Sequence, residues 1–160
     1  MFGKGDKVVY PGHGAAVIDC LVEREDDGAA RSYLKLCLSR GLTVMLPVET
    51  AAQIGLRAVS TRAEVAALFE LLREDEGPMP TTWSRRHRQN VDKVMSGAML
   101  MAGEVIRDLS LMERRAHLSF QEKRLLAKAR EVLISELTLS LDATTEHAEA
   151  TLDAVLAEAR

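Results

Sequence analysis

The sequence predicts an α+β protein of two domains, in which a small β-barrel is followed by a bundle of five helices. The first fifty residues contain short apolar segments separated by turn residues, and one of these segments, Leu34–Leu38, alternates with a period of two. From about residue 60 the apolar residues instead recur every three to four positions, which is the helical period. The length of 160 residues is enough for two small domains. We expect these domains to cover residues 1–53 and 59–160.

The N-terminal domain is predicted to contain four or five short strands and no helix. Two turns divide the strands: Pro11-Gly12-His13-Gly14, and Asp26-Asp27-Gly28, whose residues tolerate the positive φ of a tight hairpin. Pro47 is expected to end the last strand because it has no N–H to donate to a sheet. Such a series is typical of a small SH3- or Tudor-like barrel. The predicted strands are Lys7–Tyr10, Ala15–Val22, Leu34–Leu38 and Leu42–Leu46.

The C-terminal domain is predicted to contain five amphipathic helices that pack as a compact bundle. Capping boxes, in which a Ser or Thr is followed three residues later by a Glu, mark two helix starts, at Thr61 and at Ser119. A second helix is expected to begin near Thr81 or Thr82 and to end near Met95. The expected core-facing residues of the last three helices are Met101, Val105, Leu109 and Met112; Leu125, Leu126, Ala129, Val132, Leu133 and Leu137; and Ala148, Leu152, Val155 and Leu156.

The sulfur-containing side chains are expected to be core residues. Cys20 and Cys37 both lie in apolar runs and are interpreted as buried, unreactive thiols; the alternative, a disulfide between them, is disfavoured by a cytoplasmic compartment. The methionines of the helical domain are interpreted as adaptable core packing, because the unbranched side chain fills irregular gaps. These methionines are Met95, Met99, Met101 and Met112.

Several functional classes are not expected. The four histidines show no zinc-binding spacing, Gly3-Lys4-Gly5 lacks the rest of a phosphate loop, and Glu74-Asp75-Glu76 is interpreted as a solvated loop. We therefore expect no enzyme activity, no metal and no cofactor. The N-terminus lacks the apolar run of a secretory signal, and no apolar stretch approaches the roughly 18 residues of a membrane span. The expected location is the cytoplasm.

Charge is distributed unevenly along the chain. The net charge is −3, yet residues 81–130 hold eleven basic and five acidic side chains, whereas residues 131–160 hold one and seven. Such asymmetry indicates a face that binds a polyanion. Charge alone, however, favours the simpler interpretation, which is a set of solvated helix faces.

The most distinctive segment is 80–90, which contains the only tryptophan, Trp83, at a predicted helix start. Three arginines, Arg85, Arg86 and Arg88, follow within five positions. Arginines beside a helix N-terminus favour phosphate, and a large planar side chain there can wedge or stack against bases. The alternative, a core tryptophan beside solvating arginines, stays open on the residues alone.

A second basic segment covers Lys123, Arg124, Lys128 and Arg130. Arg124 and Lys128 lie one turn apart on one helix face, where they could line a duplex backbone, while Leu125, Leu126 and Ala129 point toward the core. A plain amphipathic helix would show the same pattern.

A series of short motifs is distributed along the whole chain. They are Gly5-Asp6, Val8-Val9-Tyr10-Pro11, His13-Gly14-Ala15-Ala16, Leu42-Thr43-Val44, Pro80-Thr81, Trp83-Ser84-Arg85-Arg86, Glu104-Val105, Arg107-Asp108-Leu109 and Glu122-Lys123-Arg124 with Leu126-Ala127-Lys128-Ala129-Arg130. In this combination the chain resembles the CarD/CdnL family of bacterial RNA-polymerase-binding regulators, in its actinobacterial form.

The resemblance implies an N-terminal Tudor-like domain, shared with transcription-repair coupling factors, that binds the RNA polymerase β subunit. It also implies a helical domain that contacts promoter DNA at the upstream edge of the transcription bubble. There a tryptophan wedges into the minor groove and stabilises the open complex, a role that maps onto Trp83. The arginines at 85, 86 and 88 map onto nearby phosphate contacts, and the basic residues of 123–130 are further candidates.

Two positions concern the polymerase contact. Arg24 matches a family arginine that contacts the polymerase, whereas Met45 stands where actinobacterial members usually carry an arginine. This departure leaves open whether the chain is a housekeeping regulator or a divergent paralogue.

Two other functions are compatible with the sequence: a polymerase-bound adaptor without DNA contact, and an RNA-binding protein of translation. The latter needs stacking aromatics on the barrel, where only Tyr10 and Tyr33 are available.

Overall fold

The computed structural model describes residues 2–159, apart from the side chain of Arg40. Five strands are followed by five long helices, which confirms the predicted α+β fold class. The strands are β1 (Lys7–Tyr10), β2 (Gly14–Asp26), β3 (Ala29–Leu38), β4 (Thr43–Pro47) and β5 (Arg57–Ala58). The long helices are α2 (Arg62–Arg73), α3 (Trp83–Met95), α4 (Met99–Arg115), α5 (Phe120–Ser140) and α6 (Thr145–Ala157); a short helix α1 (Val48–Ala51) precedes β5.

The strands form one antiparallel sheet in the order β4-β3-β2-β1-β5. The β2–β3 hairpin turns as predicted, because Asp27 and Gly28 both have positive φ, 50° and 78°, as a two-residue hairpin loop requires. Both strands are longer than predicted: their outer ends, residues 23–31, extend beyond the barrel core and are exposed. β5 lies between the two expected domain ranges, and its pairing with β1 adds it to the sheet.

Two expectations for this domain are wrong. A short helix, α1, follows Pro47, and a 3₁₀ turn covers Ser39–Gly41. The proline ends the strand and caps α1, where Thr50 Oγ1 donates to its carbonyl at 3.0 Å, so that Ala51 can pack into the barrel core. The cysteines are not buried: Cys37 is exposed and Cys20 half-buried, because alternation along β3 turns Leu36 and Leu38 inward and Cys37 outward.

The helical domain has a single apolar core to which α2, α4, α5 and α6 contribute, with Val94 from α3. Both predicted capping boxes are present, at Thr61 with Glu64 and at Ser119 with Glu122. The expectation for the methionines is half correct. Met99 and Met112 are buried, whereas Met95 and Met101 are 52% and 45% exposed, because neither lies on the inward face of its helix.

The acidic loop after α2 is exposed at Glu74 and Asp75, as expected, but ion pairs also hold it in place. The buried Arg107 donates to Glu74 at 3.1 Å and to Asp108 at 2.9 Å, and Asp108 accepts from the Gly77 N–H at 2.9 Å. Glu76 pairs with Arg115 at 2.5 Å. These contacts fix the loop that leads from α2 to α3.

The sheet and the bundle meet at a junction formed by the Pro11–Gly14 turn, Arg57, Gly97 and the C-terminal half of α5. The Ala15 N–H donates to Ser135 Oγ at 2.9 Å, and Arg57 donates to the Gly97 carbonyl at 2.6 Å. Gly97 lies so close to Pro11 that a Cβ there would come within 2.9 Å of the proline ring. Among residues 2–159, we find no helix long and apolar enough to cross a membrane.

Candidate nucleic-acid interface

Trp83, the first residue of α3, lies at the centre of this surface. Thr82 occupies the N-cap position with an extended backbone and no side-chain cap bond, so Trp83 is the first helical residue. The residue is 40% exposed. It is therefore not a core tryptophan, which was one of the two interpretations that the sequence left open.

The indole is held at its nitrogen edge and on one face. Its Nε1–H donates to Ser119 Oγ, the N-cap of α5, at 3.1 Å and to Glu122 Oε1, in the first turn of α5, at 3.2 Å. The His87 ring, one turn further along α3, stacks on it with centroids 5.2 Å apart and planes 7° from parallel. The ring is thus fixed in orientation while two fifths of the residue stays accessible.

Glu122 is the acceptor that these contacts share. It is 2% exposed and also accepts from Arg86 Nε at 3.0 Å and from the Ser119 N–H at 3.3 Å. Burial raises the pKa of this carboxyl, but the bonds from Arg86 and Ser119 lower it by more, so the net pKa lies below its ordinary value. Glu122 is therefore ionised at neutral pH.

The three arginines of α3 have different surroundings. Arg85 and Arg88 are exposed beside Trp83 in the first turns of the helix. The Arg86 side chain is only 15% exposed because its guanidinium points inward to Glu122. The structure thus leaves two cations of this cluster directed at solvent and holds the third in an ion pair.

The basic residues of α5 lie on two faces. Phe120, Arg124 and Lys128 follow each other at single-turn spacing, and the Arg124 guanidinium lies 5.8 Å from the centre of the Phe120 ring. Phe120 is 74% exposed, and it directly follows Ser119, so this face begins beside the indole. Arg124 and Lys128 share a face as predicted.

Lys123 and Arg130 lie on the other face, where both line a groove of about 650 Å³ that also contains Ser39 of the barrel. Arg130 pairs with Asp153 at 2.6 Å. Within the described residues, no three His, Cys, Asp or Glu side chains are grouped to hold a metal ion. The exposed groups at the centre of this surface are the Trp83 indole and the cations around it.

The candidate polymerase residues lie on the sheet. Arg24 is exposed on β2, directly opposite Arg31 of β3. Met45 is half-buried on β4, an edge strand, opposite Lys35 of β3. Since Arg31 and Lys35 are four residues apart on β3, Arg24 and Met45 are about 13 Å apart along the strand direction and lie two strands apart across the sheet.

Sequence reasoning did not identify His87, Ser119 and Glu122 as part of the site. The Ser119–Glu122 capping box was recognised, but only as the start of a helix. Its bonds to Trp83 span 36 and 39 positions of the chain, and no local pattern reports such a distance. The histidine one turn after the tryptophan was a usable signal, since residues at this spacing share a helix face.

Comparison with known proteins covers both halves of the chain. Residues 2–60 match the CarD-like/TRCF RID domain, and residues 67–153 match the CarD C-terminal domain. The chain is also 33% identical over 138 residues to the protein named "Putative transcription factor YdeB" of Bacillus subtilis (strain 168), a match that covers 86% of this chain and 90% of the relative. The chain thus belongs to the CarD family of transcription regulators that interact with RNA polymerase.

Proposed function

We propose that this protein binds the RNA polymerase β subunit through its sheet and stabilises the open promoter complex by inserting Trp83 at the upstream edge of the bubble. The observation that carries the proposal is the state of the indole. It is fixed by α5 and His87, yet 40% of the residue is exposed at a cationic corner. An aromatic ring held out in this way is suited to enter a base step that is already opening.

The wedge stabilises open over closed DNA because it binds only one of the two states well. An intact, stacked duplex offers no gap for the ring, whereas the bubble edge does, and only such a difference in affinity shifts the balance. The indole is positioned before DNA arrives. Little conformational entropy is therefore lost on insertion.

Phosphate contacts are assigned to the exposed cations around the ring. Arg85 and Arg88 flank it on α3, and the α5 face continues the basic surface with Arg124 and Lys128. Lys123 adds to the positive potential from the margin, whereas Arg86 and Arg130 are paired with Glu122 and Asp153. DNA affinity of the free protein is weak and salt-sensitive because the whole chain carries −3, and attachment to polymerase raises the local concentration enough to compensate.

The polymerase contact is assigned to the sheet in residues 1–53. Its match to the CarD-like/TRCF RID domain supports this assignment. β4 is an edge strand whose outer backbone groups can pair with a strand of the β subunit, and Met45 lies on it. Arg24 supplies a charge at the exposed end of the hairpin. The proposed location is the cytoplasm, at the nucleoid.

The test is the lifetime of the open complex on a ribosomal-RNA-type promoter with an actinobacterial polymerase. We expect this protein to lengthen the lifetime and Trp83→Ala to remove the effect while binding to polymerase persists. Leu100→Ala is the control, because Leu100 is also an exposed apolar residue near a helix start, 44% exposed on α4.

The second candidate, an adaptor that bridges polymerase to another protein, gives a different result. In that case Trp83→Ala leaves the lifetime unchanged although the protein still binds the β subunit. No binding to polymerase would contradict both candidates.

A further inference from the structure

We propose that Glu122 is the positioning residue of the wedge, and that Arg86 acts through Glu122 instead of contacting DNA phosphate. One buried carboxylate would then set the orientation of Trp83 and require a compensating cation. The effect of Trp83 on the open complex rests on the proposed function. How the indole is held is a property of the free protein and is tested there.

The first argument is the convergence of donors on this one carboxylate. The Trp83 indole N–H, the Arg86 guanidinium and the Ser119 N–H all donate to Glu122 at 3.0–3.3 Å. Since an indole has a single N–H, its only donor is committed to α5. Rotating the ring away would leave a buried, ionised acceptor short of a partner, which is costly.

The second argument is a comparison within the chain. Glu64 occupies the same position of the other capping box, at the start of α2, where it accepts from the Thr61 N–H at 3.1 Å and is exposed. Capping a helix therefore requires neither burial nor an arginine. The burial of Glu122 and its bonds to Trp83 and Arg86 exceed what the cap needs.

The third argument concerns charge. A bare carboxylate 3.2 Å from the wedge would repel the phosphates that the surrounding arginines attract. Arg86 neutralises it at 3.0 Å, with its side chain only 15% exposed. The charge of Arg86 is therefore compensated by Glu122, whereas Arg85 and Arg88 are exposed to solvent.

The test uses Trp83 as a probe, because it is the only tryptophan and all indole fluorescence comes from it. In the free protein, we expect Glu122→Gln to increase quenching of Trp83 by acrylamide, since the ring loses its charged acceptor. In the polymerase complex, we expect it to shorten open-complex lifetime about tenfold, as for loss of a hydrogen bond to a charged group. Glu64→Gln, the matched control, leaves quenching and lifetime at wild-type values.

A double-mutant cycle tests the role of Arg86. Alone, Arg86→Met leaves the buried Glu122 carboxylate without its cation, and we expect the open-complex lifetime to shorten. Combined with Glu122→Gln it has no further effect, because its partner is already neutral. Arg88→Met, an exposed arginine, adds fully to Glu122→Gln. If Arg86→Met is also additive, Arg86 acts independently of Glu122 and this part of the proposal is wrong.

Two outcomes separate this proposal from the proposed function. Unchanged quenching in Glu122→Gln, with a lifetime that Trp83→Ala still shortens, overturns the positioning role and leaves the wedge. A lifetime insensitive to Trp83→Ala overturns the wedge, while increased quenching still supports the positioning role. Circular dichroism checks the fold. If Glu122→Gln does not fold, Arg86→Met replaces it, with Arg88→Met as control: the Glu122 carboxylate loses its cation, so quenching of Trp83 is expected to change, and unchanged quenching overturns the positioning role.

Discussion

The Glu136 carboxylate on α5 accepts hydrogen bonds from both terminal nitrogens of Arg57 on β5, each at 2.8 Å. The same carboxylate accepts from the Ser60 N–H at 2.8 Å, and Glu136 is 3% exposed. The two ends of this pair belong to the sheet and to the bundle. It is therefore an ion pair that joins the two parts of the molecule.

Removing the cation of this pair is expected to destabilise the protein. Arg57→Met leaves a buried, unpaired carboxylate, which costs about 3 kcal/mol of unfolding free energy. Urea unfolding measures the loss. Arg73→Met, which removes a solvent-exposed pair with Glu158, is the control and changes stability little. Equal effects of the two substitutions would mean that the Arg57 pair is as solvent-screened as a surface pair.

A side chain at Gly97 is expected to disturb the contact with the barrel. Gly97→Ala places a methyl group 2.9 Å from Pro11 at a residue with φ of +79°. Gly28→Ala has nearly the same φ, +78°, but meets no atom within 4 Å. Both therefore carry a backbone strain of about 1–2 kcal/mol. The thermal midpoint falls further for Gly97→Ala, and equal midpoints would show that the Pro11 contact relaxes freely.

The stability that Glu122 provides is expected to disappear in acid. Burial raises its pKa, but Arg86 and Ser119 lower it by more, so the folded pKa lies below the ordinary 4.5. A group with a lowered folded pKa stabilises above its unfolded pKa and loses that contribution as the pH falls through the folded value. The difference in unfolding free energy between wild type and Glu122→Gln is therefore largest near neutral pH and shrinks below pH 4.5. A difference that stays constant into stronger acid contradicts the assignment.

Salt dependence is expected to identify the phosphate contacts. Each phosphate neutralised by a cation contributes about 0.9 to the slope of log affinity against log salt. Arg88→Met lowers the slope for promoter binding by the polymerase complex by about this amount. Lys4→Met, which removes an exposed cation of the N-terminal domain, leaves it unchanged. An unchanged slope for Arg88→Met removes Arg88 from the interface.

The edge strand offers a test of the polymerase contact. Met45→Arg adds the charge that the chain lacks at this position and is expected to tighten binding to the β subunit several-fold. Leu42→Arg introduces the same charge at an exposed residue just before β4. If both substitutions tighten binding equally, the gain is a general charge effect and Met45 is not a specific contact.

Local patterns predicted the local structure well. The Asp27-Gly28 hairpin loop, both capping boxes and the five helices follow from residues within a turn or two of each other. The direction in which a side chain points was less predictable. Cys37 and Met101 were expected to be buried and are exposed. The inward face of a strand or helix depends on what packs against it, which no single element encodes.

Contacts between distant residues could not be predicted at all. The Pro11–Gly14 turn was recognised as a turn, but its approach to Gly97 and Ser135 depends on the placement of the whole bundle. The same holds for Arg107, whose bond to Glu74 turns an apparently solvated loop into a fixed one. Charged residues in particular look the same in sequence whether they face water or a buried partner.

The helices α3 and α5 run side by side in the same direction. Trp83 meets Glu122 at one end. Fourteen residues further along each segment, Gly97, just past the end of α3, and Glu136 of α5 both accept from Arg57. Fourteen residues are nearly four turns and about 21 Å, so both carboxylates lie on almost the same stripe of α5. Helix α5 therefore connects the contact with the indole, near its N-terminus, to the contact with the barrel, near its C-terminus. A single-residue deletion between them would turn the two ends by about 100° out of phase, even if every residue at both contacts were intact.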